Sequence, residues 1–255
     1  MSLYAEERQQ QILSQTRADG RVDVATLAAQ LDVTQETIRR DLDRLESQGL
    51  VRRVHGGAIL TGQLDFEPGL SQRDATASRE KAKMARATLA LLPQEGTVLL
   101  DAGTSTARLA AAIPDDSRLT VMTNSVPIAS QLAARANLTV HLVGGRVRAR
   151  TLAAVDTWAI ETLGRLRVDV AVLGTNGMSV ERGLTTADIS EAGVKAAMLA
   201  AGRRVVVLAD SSKYRSDQFV RFAHLREVDV VVSDTQLDPA ACRAIEAAGP
   251  EVVLA

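Results

Sequence analysis

The sequence predicts a two-domain α/β chain, a small helical domain with a β-ribbon ahead of a larger domain built on a mainly parallel sheet. Three observations carry this expectation. Apolar residues recur at helical spacing through the first 60 residues and end in a short ribbon. Residues 61–80 lack clean periodicity and hold Gly62, Pro68 and Gly69, the marks of a linker. From Lys81 onward short apolar runs alternate with helical stretches, the pattern of a parallel sheet with crossover helices. The expected division is therefore 1–60, a linker at 61–80, and 81–255.

In the small domain Ile12 and Leu13 mark a first helix that turns at Asp19-Gly20. Asp23 is an N-cap candidate for a second helix, with Val24, Leu27, Ala28 and Leu31 at helical spacing. Thr34 suits the cap of a third helix in which Ile38, Leu42 and Leu45 share one face and Gly49 supplies the stop. Leu50–Val54 reads as a strand entering the turn His55-Gly56-Gly57. In the larger domain the strand candidates are Thr97–Leu100, Leu119–Met122, Thr139–Val143, Asp169–Leu173, Arg204–Ala209, Val228–Val232 and Glu251–Leu254. Helices fit at Lys81–Leu92, Thr106–Ala112, Pro127–Ala136, Trp158–Leu163, Ile189–Ala201 and Pro239–Ala248.

Composition narrows the function classes. Of 255 residues 46% are hydrophobic and 24% charged, which permits a packed core and argues against disorder. The apolar runs are far shorter than the ~20 residues that span a bilayer, and the start MSLYAEERQQ lacks the apolar stretch of a signal peptide. A cytoplasmic protein with no membrane partner is expected. One cysteine, Cys242, leaves no internal disulfide and no cysteine-built zinc site. Neither a cofactor nor a metal is expected. The net charge of −1, and eight Arg against nine Asp or Glu within residues 1–60, confine any nucleic-acid contact to a local surface.

That surface is the third helix. At about 100° per residue Leu42 and Leu45 fall within about 40° of Ile38, whereas Arg40 and Ser47 lie opposite, flanked by Glu36, Thr37, Asp43 and Arg44. Such a polar face suits a major groove, and equally an ordinary solvated helix. The string TQETIRRDLDRLESQGLVRRVHGGA, Thr34 to Ala58, resembles the recognition helix and wing of the DeoR family of regulators, and RQQQILSQTRADGRVDVATLAAQLDV resembles that family's first two helices. The resemblance implies a winged helix-turn-helix in which Gln35, Thr37, Arg39, Arg40 and Arg44 meet DNA. It places Arg52, Arg53 and His55 on the wing near phosphates or the minor groove, with Gly56-Gly57 allowing close backbone approach. The alternative for the wing is a charged hairpin that only solubilises.

In the larger domain DAGTST, Asp101 to Thr106, follows a strand and opens a helix, an arrangement that offers backbone N–H groups and hydroxyls to phosphate, or merely caps the helix. Thr123-Asn124-Ser125, Gly144-Gly145 and GTNG, Gly174 to Gly177, end the next strands, so these turns share one sheet edge. Lys213 and the cations Arg146, Arg148 and Arg150 belong to the same edge, each also a candidate for a surface salt bridge. The segments DAGTST, TNS, GG, VLGTNGMSVERGLTT and ADSSK resemble the DeoR-family sensor domain, whose Rossmann-like fold is similar to ribose-phosphate isomerase. This implies a sugar-phosphate effector held by Asp101, Gly103, Thr104, Ser105 and Thr106 at the phosphate and by Asn124, Thr175, Asn176 and Lys213 at the sugar. Gly145 and Arg148 are added from the glycine pair and its cations. Glu191 and Lys195 match the family's Glu-x-x-x-Lys helix and are equally placed to pair with each other. Arg146 to Leu163 is similar to the subgroup that regulates fructose operons, which makes fructose 1-phosphate the leading effector.

The expected function is a sequence-specific repressor of a sugar-metabolism operon, not an enzyme, acting as a homodimer or homotetramer on double-stranded operator DNA. The alternatives are a sugar-phosphate isomerase or deaminase carrying a DNA-binding module, and a winged helix used only for protein contacts. The isomerases' Asp-Gly-Ala-Asp-Glu and Lys-Gly-Gly-Gly segments have no counterpart here. His141 and His224 read as structural.

Overall fold

A computed structural model describes residues 5–47, 50–60, 67 and 69–255, apart from the side chains of residues 17, 18 and 72. Gly49, expected to end the third helix, lies outside the described residues, as do Gly62 and Pro68 of the expected linker. The chain forms two compact units that divide between residues 66 and 67.

The first unit runs α1 (Ala5–Asp19), β1 (Arg21–Asp23), α2 (Val24–Gln30), α3 (Gln35–Ser47), β2 (Val51–Val54) and β3 (Gly57–Leu60). Asp23 caps α2 by accepting from the N–H groups of Ala25 and Thr26 at 2.9 and 3.0 Å, and the Thr34 hydroxyl accepts from Thr37 N–H at 3.2 Å. Ile12, Leu27, Ile38, Leu42, Leu45, Val51 and Ala58 close one small core. Complete burial of each of these larger apolar side chains contributes about 1.5–3 kcal/mol. The strands pair antiparallel in the order β1-β3-β2. Gly57 is obligatory in that ladder, because a Cβ there would sit 1.9 Å from the Val22 carbonyl oxygen. Gly56 turns at φ +79°. The glycine pair thus forms the turn the sequence reading expected and also serves the ribbon's pairing.

The second unit opens with α4 (Leu70–Ala75) and α5 (Ser78–Leu89). Residues 69–80, expected as linker, therefore carry one short helix and the first turn of another. The unit continues with β4 (Glu95–Leu100), α6 (Thr104–Ala112), β5 (Arg118–Thr123), α7 (Val126–Ala133), β6 (Thr139–Leu142), β7 (Arg146–Arg148), β8 (Ala153–Val155), α8 (Thr157–Leu163) and β9 (Val168–Gly174). After β10 (Gly177–Ser179), β11 (Gly183–Thr186) and α9 (Ile189–Ala201) come β12 (Gly202–Leu208) and the 3-10 turn Ser211–Lys213. The chain ends with β13 (Val220–Ala223), β14 (Val230–Ser233), α10 (Pro239–Ala247) and β15 (Glu251–Leu254).

Seven of these strands form a parallel sheet in the order β15-β14-β12-β9-β4-β5-β6. Period-two alternation sends Ala171 and Leu173 to a core with α8, α9 and α10, and Val170 and Val172 to a core with α5, α6 and α7. Burial on both faces explains why the central strands β9, β12 and β14 read as continuous apolar runs. Two small antiparallel additions, β7-β8 and β10-β11-β13, lie outside the main sheet. The chain progresses from β4 towards β5 and β6 and, later, from β9 towards β12, β14 and β15. The order reverses between β4 and β9, where ligand crevices form in such sheets.

Candidate functional site

On the first unit, α3 buries Ile38, Asp41, Leu42 and Leu45 and exposes Gln35, Glu36, Arg39, Arg40, Asp43 and Arg44. Asp41 on the inner face accepts from Arg8 Nε at 2.5 Å and from Gln9 Nε2 at 2.9 Å, so α1 braces α3 through a buried ion pair. Arg40 keeps its side chain 80% exposed, with only a 3.6 Å approach to Glu36. Arg39 donates to Gln35 Oε1 at 3.3 Å, and Thr37 is half-buried beside Thr34.

The wing cations differ from one another. His55 is exposed at the turn, and burial lowers the Arg52 pKa, partly offset by the charge of Glu46. Arg53 is engaged within the unit: its guanidinium donates to Asp43 and to the Arg39 carbonyl, and its N–H donates to Glu46 at 2.6 Å. It ties wing to α3. The sequence placed Arg53 on the wing near phosphates or the minor groove and did not foresee Asp43 and Glu46 as partners, whose positions facing the wing only the fold supplies.

In the second unit the reversal between β4 and β9 brings together Asp101 after one strand and Gly174-Thr175-Asn176 at the end of the other. The α6 N-terminus follows Asp101 directly. Gly103 is the N-cap and offers no side chain, so among the described residues no side chain caps the first turn of α6. Its leading N–H groups, on Thr104, Ser105 and Thr106, face the partial positive end of the helix. Thr106 is fully buried and donates its hydroxyl to the Gly103 carbonyl at 3.0 Å, whereas Ser105 is half-buried. A cavity of about 950 Å³ opens at the start of α6, between the ends of β4 and β5, lined by Gly103, Thr104, Ser125, Arg150, Leu152 and by Leu70, Ser71 and Asp74 of α4. That volume accommodates a small phosphorylated metabolite.

Deeper in, Lys195 on α9 donates to Asp101 Oδ2 and, at 3.0 Å, to the Gly174 carbonyl; Gly174 N–H returns a 3.0 Å bond to Asp101 Oδ2. Glu191, one helical turn earlier, accepts instead from Thr151 Oγ1 at 2.5 Å and from Arg148 at 3.2 Å. The Glu191–Lys195 pairing that the spacing allowed is not formed; tertiary partners from the sheet edge outcompete the exposed-helix option. Arg148 also meets Glu67 and, at 3.1 Å, Asp188. Burial pushes its pKa down, but Glu67, Glu191 and Asp188 outweigh that and raise it, so the guanidinium stays charged. Arg146 pairs with Asp156 at 2.6 Å away from this cluster.

Several predicted contacts are occupied by the backbone. Asn124 is buried, its Oδ1 accepting from Ala102 N–H at 2.9 Å and its Nδ2 donating to the Ala154 carbonyl at 3.2 Å. Thr175 donates to the carbonyls of Gly177 and Thr185 at 2.7 and 3.0 Å. Gly145 has φ +149°, and a Cβ there would meet the Val155 carbonyl oxygen at 2.5 Å, a requirement of the β7–β8 hairpin. Asn176 accepts from Thr186 Oγ1 at 3.1 Å and donates to Glu67 Oε1 at 3.3 Å. Lys213 lies half-buried in the 3-10 turn after β12, on the same sheet edge.

Glu67, Arg73 and Lys81 were missed by sequence reasoning. Glu67 is 2% exposed and accepts from Arg73 at 2.9 Å. Lys81 is buried where its ammonium donates to the carbonyls of Arg73 and Thr76, the latter at 2.7 Å. Desolvation lowers its pKa to about 8, with Asp210 and Asp74 opposing and Lys213 and Arg73 assisting the shift. No signal short of the fold marks these residues, because each is an ordinary charged residue in a polar stretch.

Residues 8–63 match the family model of the DeoR-like helix-turn-helix domain, and residues 76–235 match that of the DeoR C terminal sensor domain. The HTH-type transcriptional regulator GlpR of Haloferax volcanii is 37% identical over 98% of this chain and 98% of its own. The HTH-type transcriptional repressor GlcR of Bacillus subtilis is 32% identical over 99% of this chain and 97% of its own. Among solved structures, a ribose 5-phosphate isomerase from Methanocaldococcus jannaschii overlaps with a TM-score of 0.40 and 15% identity over 55% of each chain.

Proposed function

The chain belongs to the DeoR family of helix-turn-helix transcriptional regulators, and from that premise we propose that it represses a sugar-metabolism operon under the control of a phosphorylated sugar. The first unit meets operator DNA through Gln35, Thr37, Arg39, Arg40 and Arg44 on α3, with Arg52 and His55 on the wing and Arg53 holding the wing against the helix. Arginine on such a face suits guanine edges and phosphates. The second unit binds the effector. The observation that carries this reading is the crevice at the ends of β4 and β5, where an uncapped α6 N-terminus and Arg150 line one cavity of about 950 Å³.

In this reading the phosphate lies against Gly103, Thr104 and Ser105, with Thr106 and Asp101 fixing that loop from behind. Asn176, Glu191, Arg148 and Lys213 face the sugar, while Asn124, Thr175 and Gly145 hold the strand ends that shape the crevice. Lys195 neutralises Asp101. Since both candidate catalytic carboxylates, Asp101 and Glu191, are already engaged by Lys195, Arg148 and Thr151, the crevice suits binding better than proton abstraction. Fructose 1-phosphate is the first effector to test. The protein works in the cytoplasm as a homodimer or homotetramer, the symmetry that paired operator half-sites require. No helix among the described residues is long and apolar enough to cross a membrane.

A thermal-shift screen of sugar phosphates against their free sugars tests the ligand class. At a hundred times Kd the true effector adds about 2.7 kcal/mol to stability. Equal stabilisation by free fructose and by fructose 1-phosphate refutes the phosphate assignment.

A further inference from the structure

Glu67 is the most heavily engaged carboxylate beside the cavity, and the reading above gives it no task. Its side chain is 1% exposed, and its two oxygens serve three donors: Arg73 Nη1 at 2.9 Å, Asn176 Nδ2 at 3.3 Å, and Arg148 Nη1. Its main-chain carbonyl accepts from Arg150. One residue thus holds three arginines.

Two of these arginines, Arg150 and Arg73, border the cavity. Arg150 lines it directly, together with Gly103 and Thr104. Arg73 Nη2 lies 3.9 Å from the point where a Cβ on Gly103 would stand, so its guanidinium abuts the uncapped start of α6. An anion at that helix start and the Glu67 carboxylate would therefore compete for the same guanidinium groups. Two anions sharing Arg73 repel, while a phosphate monoester carries more charge and more acceptor oxygens than a carboxylate.

Resting on the functional reading above, we propose that Arg73 and Arg150 form, beside the start of α6, an anion seat for the phosphate monoester of the effector, held in its absence by the chain's own Glu67, which also engages Arg148 and Asn176 on the sugar side. Binding exchanges one anion for the other. Glu67 is the first residue of the second unit and lies three residues before α4. The ligand-free protein keeps its arginines paired, and the effector is read through the displacement of a residue next to the junction. The cost of displacing Glu67 sets the effector threshold: apparent Kd equals the intrinsic value divided by the fraction of molecules with the seat open.

Glu67→Gln keeps the size of the side chain and an acceptor for Arg73 but removes the competing charge. If the closed seat is populated about ten to one, this variant binds fructose 1-phosphate about tenfold more tightly than wild type by isothermal titration calorimetry. A residue with a purely structural role predicts the opposite, since losing it loosens the arginines that bind ligand. Hydrogen exchange on the unmodified protein supplies a second readout that needs no variant. With saturating fructose 1-phosphate the amides of α4 should exchange several times faster while those of Thr104 to Ala107 slow.

Equal or weaker binding by Glu67→Gln, or slower exchange throughout α4, overturns the seat exchange and leaves a sugar-phosphate sensor standing. Should neither protein bind fructose 1-phosphate, inorganic phosphate or any other sugar phosphate, the functional reading falls and the seat with it. If Glu67→Gln fails to fold, the exchange measurement decides alone.

Discussion

Replacing Asp101 by Asn removes the charge that holds the buried Lys195 ammonium. Asp101 and Lys195 are 2% and 4% exposed, and the ammonium's other neighbours are the Gly174 carbonyl at 3.0 Å and the Phe222 ring, 5.5 Å from its centroid. Removing one partner of a buried pair costs about 3–5 kcal/mol. Asparagine retains an acceptor for Gly174 N–H, a bond worth about 1 kcal/mol, which favours the lower end, ~3 kcal/mol. For a unit of this size each kcal/mol lowers Tm by about 2–4 °C, so calorimetry should find the second unit's transition about 6–12 °C lower. Asp101→Asn with Lys195→Met should recover part of that loss, because it leaves no unpaired buried charge. A loss below about 1 kcal/mol, or a double variant no more stable than the single one, refutes the argument that this pair secures the β4–β9 crevice.

Arg40→Ala and Arg44→Ala should weaken operator binding without lowering stability, since both side chains are exposed; in a salt titration, loss of one phosphate contact lowers the logarithmic slope by about one unit, whereas loss of a base contact relaxes specificity. Lys81 gives a pH signature: its folded pKa of about 8 lies below the ordinary 10.5, so between these values the unfolded chain binds the extra proton and stability rises with pH. The rise is at most ~1.4 kcal/mol per pH unit. Urea unfolding at several pH values from 7 to 10.5 should show it as a difference between wild type and Lys81→Met that is constant below pH 8 and changes above; a constant difference throughout contradicts it.

The central strands of the main sheet were legible because burial on both faces makes them apolar runs bounded by polar or glycine turns, as at Val205–Leu208. β1, β7, β10 and β11 escaped notice because strands of three or four residues carry no period. α4 was hidden in a segment whose Pro68 and Gly69 read as linker. The sheet edge was legible too, since DAGTST and GTNG mark strand ends by their glycines and hydroxyls. What sequence does not supply is which polar groups on that edge the protein itself occupies. Asn124 and Thr175 bind backbone, Lys195 binds Asp101 rather than Glu191, and Arg53 binds Asp43. The Lys195–Asp101 choice depends on a partner 94 residues away, and Glu67 reaches across 81 residues to Arg148, separations that no local pattern registers.

The most direct test joins the two units in one measurement: fluorescence anisotropy of a labelled operator duplex, titrated with fructose 1-phosphate and with free fructose, for wild type and for Thr104→Ala combined with Ser105→Ala. The account predicts that the phosphate ester changes operator Kd at least severalfold in wild type, that free fructose does not, and that the double variant binds DNA normally but no longer responds. A response confined to another sugar phosphate keeps the ligand class and changes its member. Equal responses to the ester and the free sugar, or a double variant that responds as wild type does, contradicts the claim that phosphate bound at the start of α6 controls DNA binding.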